Sequence, residues 1–292
     1  MINRLFGNYL VNKQMITQEQ LDELLPVQKD FKAEVETIAV INKVLTAAAT
    51  RELLERIDKN NERFGETAVE AGYITDDKLD EILSYQSNTF MRFVQSLLDK
   101  ELLSLEQINP CLNELQQLGG YSDTVMSALI HDDLEQCVDA FVPLKSKRLK
   151  EYILTFVQTV RRLIDSDMYL EKAYTASSLQ LDKYACQMIV GDMHMKVYIS
   201  APDDGLLAIA NYFTEDTYST VDEDALDNVG EFINCVNGLF ATDLSYDDFS
   251  IDMNSPEYSV EGPFVSNEKL YIVPVHANGY YFKAVLEVYE SV

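Results

Sequence analysis

Ten of the 23 residues from Phe6 to Gln28 recur, without a gap, in the segment from Phe64 to Gln86. A duplication at a constant offset of 58 residues constrains this chain more than its composition does, because both copies must fold alike and bury the same face. Each copy reads as a short helix, a turn, an Ile-Thr pair and a second amphipathic helix. Thr17 and Thr75 stand where that second helix needs an N-cap, and Gln20 completes a capping box in the first copy. A weaker copy runs through Leu102–Ile108, with Ser104 as cap and Gln107 at the reciprocal position. Residues 29–63 also carry helical spacing, with Ile38, Ile41, Leu45 and Ala48 as one stripe and Thr50 capping a helix through Leu53, Leu54 and Ile57. Residues 1–118 are therefore expected to form an all-α tandem-repeat domain. Gly119-Gly120 is the strongest break in the chain. Short helical patterns near 122–130 and 133–142, ended by Pro143, make residues 119–145 a helical connector.

From residue 146 to 292 the pattern changes. Leu149, Ile153, Phe156, Val160 and Leu163 define one amphipathic helix. Three strand-like segments follow near 169–176, 183–190 and 194–200, then a helix near 203–213 and another around Asp227. Strands return near 248–253, 269–276 and 280–289, the last two joined by Asn278-Gly279, a hairpin signal. The order helix, three strands, two helices, three strands predicts an α+β domain.

The net charge of −26 is uneven: the first 150 residues hold 16 basic and 25 acidic side chains, the rest 7 and 24. Such a surface repels phosphate backbones, which argues against nucleic acid as a ligand. No apolar run approaches the ~20 residues of a membrane span, and the start has no signal architecture. The four cysteines form no CxxC pair and read as free thiols of a cytoplasmic protein. His131, His194 and His276 fall in no metal-ligand spacing; in His131-Asp132-Asp133, Asp132 or Asp133 reads as the cap of the helix that follows. There is no GxGxxG, P-loop or GxSxG. Lys145, Lys147, Arg148, Lys150, Arg161 and Arg162 crowd one helix, either as a docking patch for an acidic partner or as a solvated face.

The most chemically informative stretch is Asp227 to Gly238. At about 100° per residue it has two faces. Leu226, Val229, Ile233, Val236 and Phe240 form an apolar stripe. Asp227, Glu231, Asn234, Gly238 and Ala241 form a second, in which the carboxylate of Glu231 and the carboxamide of Asn234 stand at i, i+3 and project together. Two residues with almost no bulk lie beside them. This suits a surface that pushes two polar groups into another protein's cleft; the plainer alternative is a solvated Glu and Asn on a helix exterior.

Residues 146–292 resemble the CheC/CheX/FliY family of bacterial chemotaxis phosphatases, and are most similar to its CheX branch. The resemblance rests on the element order and on an Asp or Ser, three residues, Glu, two residues, Asn and a distant Pro, matched by Asp227, Glu231, Asn234 and Pro256. One copy of the motif is present, as in the single-site CheX type. The resemblance implies hydrolysis of a phosphoaspartate on a response-regulator receiver domain, with Glu231 and Asn234 catalytic and Asp227 and Gly238 docking the partner. It implies no cofactor of the chain's own, with Mg²⁺ on the receiver, and a homodimer by analogy. The repeats resemble the N-terminal helical domain of type II secretion ATPases, whose MshEN subset binds cyclic di-GMP; Arg63-Phe64-Gly65 and Gln86 fit, whereas Leu5 replaces the expected Arg in the first copy. The alternative function is a non-catalytic adaptor or scaffold for a signalling, pilus or secretion partner, responsive to cyclic di-GMP through the repeats.

Overall fold

The computed structural model describes residues 1–26, 31–60, 63–214, 216–260, 264–266 and 268–289. The chain divides into two compact units, Ile2–Asp133 and Leu134–Val292, and each is described by itself.

The first unit is helical: α1 (Ile2–Asn12), α2 (Gln18–Leu24), α3 (Val35–Ile41), α4 (Ala47–Asn60), α5 (Phe64–Glu70), α6 (Asp76–Ser84), α7 (Thr89–Asp99), α8 (Leu105–Gly119) and α9 (Asp123–His131). The first eight form successive helix–turn–helix pairs on a 29-residue period. Thr17, Thr46, Thr75 and Ser104 precede the second helix of each pair, and left-handed residues stand three positions earlier, at Gln14, Lys43, Gly72 and Glu101. The 58-residue offset of the sequence is thus two structural periods. Thr17 Oγ1 accepts from Gln20 N at 3.2 Å while Gln20 Oε1 accepts from Thr17 N at 2.8 Å, the capping box expected there. Thr75 and Ser104 also occupy their expected cap positions. Thr50 does not: it is fully buried inside α4. The cap belongs to Thr46, whose Oγ1 accepts from Ala49 N at 3.1 Å. Gln28 and the linking residues 29, 30, 61 and 62 lie outside the described residues.

Why the two strong copies share Phe-Gly follows from packing. A Cβ on Gly7 would stand 2.2 Å from Leu21 Cδ1, and one on Gly65 would stand 2.6 Å from Leu79 Cδ1. A larger residue at either position would have to displace that leucine from the helix–helix contact. The halves also dock reciprocally, with α1 and α2 on α7 and α5 and α6 on α3. At their centre Thr37 donates to Gln95 Oε1 at 2.6 Å, and these positions are themselves 58 residues apart. Of the expected connector, α9 joins this unit through Asn88 Nδ2, which donates to the Ile130 carbonyl at 3.1 Å. Asp132 closes α9 in the left-handed conformation, which leaves Asp133 directly before the next helix. His131 is stacked on Tyr85 and bonded to Ser127 and Asn42.

The second unit comprises α10 (Leu134–Phe141), α11 (Lys147–Leu163), β1 (Tyr169–Leu170), β2 (Tyr174–Ala176), β3 (Gln180–Leu181), β4 (Tyr184–Gly191), β5 (Met195–Ser200), α12 (Asp203–Phe213), α13 (Glu223–Ser245), β6 (Ile251–Met253), β7 (Glu257–Ser259), β8 (Phe264–Val265), β9 (Leu270–Ala277) and β10 (Tyr280–Val288). It is the expected α+β arrangement with finer division: the first predicted strand splits into β1 and β2, and β3, β7 and β8 are short additions. The antiparallel sheet runs β1-β9-β10-β5-β4-β6, with β2 also on β9 and β7 also on β4, while β3 and β8 form a separate ribbon. Asn278 and Gly279 both take positive φ in the β9–β10 turn, as a two-residue hairpin requires.

Alternation along the strands sorts the core into two layers. Ala185 and Ile189 of β4, Val197 and Ile199 of β5 and Phe282, Ala284 and Leu286 of β10 are buried and share one face through their cross-strand register. The helices cover it: Phe156 of α11 meets Phe282 edge-on at 6.5 Å and Phe232 of α13 at 6.3 Å. Phe213 of α12 meets Phe232 at 5.6 Å. Each such side chain contributes about 1.5–3 kcal/mol by leaving water. On the other face Cys186, Tyr198, Leu270, Ile272 and Val285 cluster with Leu181.

The left-handed turn positions generate a stability test. An L residue there costs about 1–2 kcal/mol, of which glycine's greater chain entropy cancels part. Gln14→Gly and Glu101→Gly, both exposed, are expected to stabilise the protein by about 0.5–1 kcal/mol each in urea unfolding. Gly72→Ala is expected to lose a similar amount.

Candidate functional site

α13 is fixed at its start by Asp222, whose Oδ1 accepts from Ala225 N at 3.0 Å, and Glu223 and Asp224 complement the positive end of the helix. The expected apolar stripe, Leu226, Val229, Ile233, Val236 and Phe240, is buried. Phe232, Gly230 and Asn237 are buried as well, so the covered face is wider than the stripe. The other face carries Asp227 and Glu231, both exposed, and Asn234 and Gly238, both half-buried. All four residues singled out by spacing therefore stand on one side of one helix.

Only Glu231 and Asn234 touch: Asn234 Nδ2 donates to Glu231 Oε2 at 3.3 Å. The amide oxygen of Asn234 turns inward and accepts from Gln187 Nε2 at 2.8 Å. Gln187 also donates to the Asn254 carbonyl at 2.8 Å and accepts from Asn237 Nδ2 at 2.7 Å. Tyr152 then donates its hydroxyl to Asn237 Oδ1 at 2.8 Å. Burial pushes the Tyr152 phenol far above its ordinary range, so it keeps its proton. The chain of bonds spans α11, α13, β4 and the β6–β7 loop. That loop also brings Pro256 across the helix: a Cβ on Gly230 would lie 3.0 Å from Pro256 Cβ. Pro256, the distant proline of the sequence pattern, thus packs one residue before Glu231.

Asp227 keeps acidic company. Tyr258, raised in pKa first by desolvation, is raised further by Glu223, Asp227 and Asp224. Gly238 opens to space, with no heavy atom within 4 Å of a Cβ built there. The site is an acidic, partly bare helix face; a cavity of about 520 Å³ in this unit contains no residue of α13. Among the described residues no three His, Cys, Asp or Glu are grouped to hold a metal ion, and no helix is long and apolar enough to cross a membrane. Of the basic cluster near α11, Lys147, Arg148 and Lys150 form ion pairs within this unit. Lys147 and Arg148 meet Glu151, Arg148 also meets Asp247, and Lys150 meets Asp139.

Gln187, Asn237 and Tyr152 were not singled out by sequence spacing. A signal exists for Gln187: it stands between Ala185 and Ile189 on an otherwise apolar strand face, where a carboxamide must find partners. Asn237 gives a similar hint beside Val236 and Phe240.

Residues 184–275, from β4 to β9, match the family model of the chemotaxis phosphatase CheX. The matched stretch lies within the second unit and includes all of α13. Among solved structures, the chain is similar to a chemotaxis protein CheX from Desulfovibrio desulfuricans, at 14% identity over 49% of this chain and 99% of that one, with a TM-score of 0.42. A CheC-like superfamily protein from Shewanella sp. PV-4 shows 16% identity over 49% and 98%, with a TM-score of 0.43. The CheX–CheY–BeF₃–Mg²⁺ complex from Borrelia burgdorferi shows 16% identity over 49% and 99%, with a TM-score of 0.39. No curated protein matches the chain. Nothing in these comparisons supports the expected likeness of the repeats to secretion ATPases, a cyclic di-GMP site or a homodimer.

The open surroundings of Gly238 make a direct prediction. Alanine there meets nothing and gains helix propensity, so Gly238→Ala is expected to stabilise the protein by about 1 kcal/mol in thermal or urea unfolding.

Proposed function

We propose that this chain is a phosphatase acting on the phosphoaspartate of a response-regulator receiver domain. The observation that carries the reading is the Glu231–Asn234 pair, held at 3.3 Å on the uncovered face of the long helix inside the CheX-matched segment.

The chemistry asked of such a pair is modest. An acyl phosphate hydrolyses unaided, and phosphoryl transfer depends mainly on placement and electrostatics. A carboxamide at Asn234 offers hydrogen bonds that can hold a water in line with phosphorus, and at neutral pH it takes no proton. Glu231, one turn earlier, would accept from a basic group of the receiver and so fix the approach of Asn234. Asp227 and its acidic neighbours extend that attraction along the helix. Gly238 leaves room for the partner's backbone one turn beyond Asn234. The donor set here, one carboxylate and one amide, suits contact with a partner rather than a resident ion. The Mg²⁺ that offsets phosphate charge would be held by the receiver's own carboxylates.

Phosphate release from a panel of phosphorylated receiver domains tests the reading. Unmutated protein is expected to accelerate release from at least one of them. Asn234→Ala is expected to abolish that acceleration with an unchanged circular dichroism spectrum; equal activity would remove Asn234 from the mechanism. Glu231→Gln is expected to raise KM, and added salt to lower kcat/KM, since exposed charges attract across a screened distance of about 10 Å at 0.1 M. Gly238→Leu, bulky at the bare position, is expected to raise KM while the fold persists.

A further inference from the structure

We propose that Gln187 is a positioning residue that locks the carboxamide of Asn234 with its oxygen inward and its nitrogen outward. The proposal rests on the phosphatase reading of the site for its functional consequence, but its structural content is independent of it.

The argument begins from a backbone carbonyl, which only accepts hydrogen bonds. Asn254 O receives Gln187 Nε2 at 2.8 Å, and this sets which end of the Gln187 amide is nitrogen. The second proton on that nitrogen points to the amide of Asn234 at 2.8 Å, so the atom that meets it must be Oδ1. Gln187 Oε1 needs a donor and receives Asn237 Nδ2 at 2.7 Å, which turns Asn237 Oδ1 toward Tyr152. Tyr152 then donates, at 2.8 Å. Every amide in the series is oriented by the one before it, and a reversed arrangement would place two donors or two acceptors face to face.

Burial makes the lock stiff. Gln187 is 1% exposed, and Asn237 and Tyr152 are not exposed at all, so solvent cannot substitute for a lost partner. The network ends at the surface at Asn234, which is half-buried. Its nitrogen gives one proton to Glu231 at 3.3 Å and keeps the other for an incoming group. Asn234 therefore meets a partner with a donor edge already set, and less orientational freedom is lost when it engages.

Gln187→Met removes both donated bonds at nearly constant volume. Two readouts are applied to the full chain. The first is the side-chain amide resonances of Asn234, assigned by their absence in Asn234→Ala. The second is phosphate release from the receiver domain that responds best to the unmutated protein. The expected result is a shifted Asn234 amide pair with faster hydrogen exchange, and a kcat loss of about tenfold to a hundredfold at nearly constant KM. Tyr152→Phe, three links away and less disruptive, is expected to move both readouts in the same direction by less, and it serves if Gln187→Met does not fold. Unchanged Asn234 resonances in a folded Gln187→Met protein would overturn the lock. A perturbed amide with unchanged kcat would overturn its positioning role. If no receiver responds to the unmutated protein, the phosphatase reading fails, and the amide resonances still decide whether Gln187 orients Asn234.

Discussion

One buried carboxamide ties the exposed chemistry of this protein to its core. Gln187 stands on a strand face lined by Ala185 and Ile189, where an unpaired amide would cost about 1–3 kcal/mol. Its partners come from three places: a loop carbonyl, a buried helical Asn and the exposed-side Asn234. Satisfying it therefore fixes how α13 lies on the sheet and how the β6–β7 loop crosses α13. The aromatic layer of Phe156, Phe213, Phe232 and Phe282 supplies cohesion, but non-directional burial would tolerate small shifts of α13. Directional bonds discriminate among those shifts.

Much of the helical unit is legible in the sequence, though at twice its true period. Thr17 and Thr75 announce themselves because ten of 23 residues recur around them, the Ile-Thr pair included. Thr46 does not, because the residues around it differ and because the turn before it carries Lys43 where its counterpart carries Gly72. Three of the four left-handed positions hold Gln, Lys or Glu, so the glycine that usually marks such a turn is missing. Thr50, expected to cap the helix through Leu53, Leu54 and Ile57, is consumed by the core. Spacing identified a helix there but misjudged its first turn.

In the second unit the strands and helices follow from alternation and 3.6-residue spacing, and Asn278-Gly279 marks its hairpin without ambiguity. The face of α13 bearing Asp227, Glu231, Asn234 and Gly238 is likewise a consequence of periodicity. What periodicity cannot supply is the orientation of an amide, because that depends on a strand and a loop 47 residues before and 20 residues after Asn234. Long-range hydrogen bonds leave only an indirect trace in sequence, a polar residue on an apolar stripe.

On the proposed reading, the protein works by extending a preset donor into a site that another protein builds. The most direct measurement is a crystal structure of this chain bound to a receiver domain carrying a beryllofluoride phosphoryl analogue. The account predicts α13 seated at the analogue, Asn234 Nδ2 within hydrogen-bonding reach of its in-line position, and Glu231 on a basic side chain of the receiver. A complex in which α13 faces solvent, with the analogue out of reach of Asn234, would contradict it.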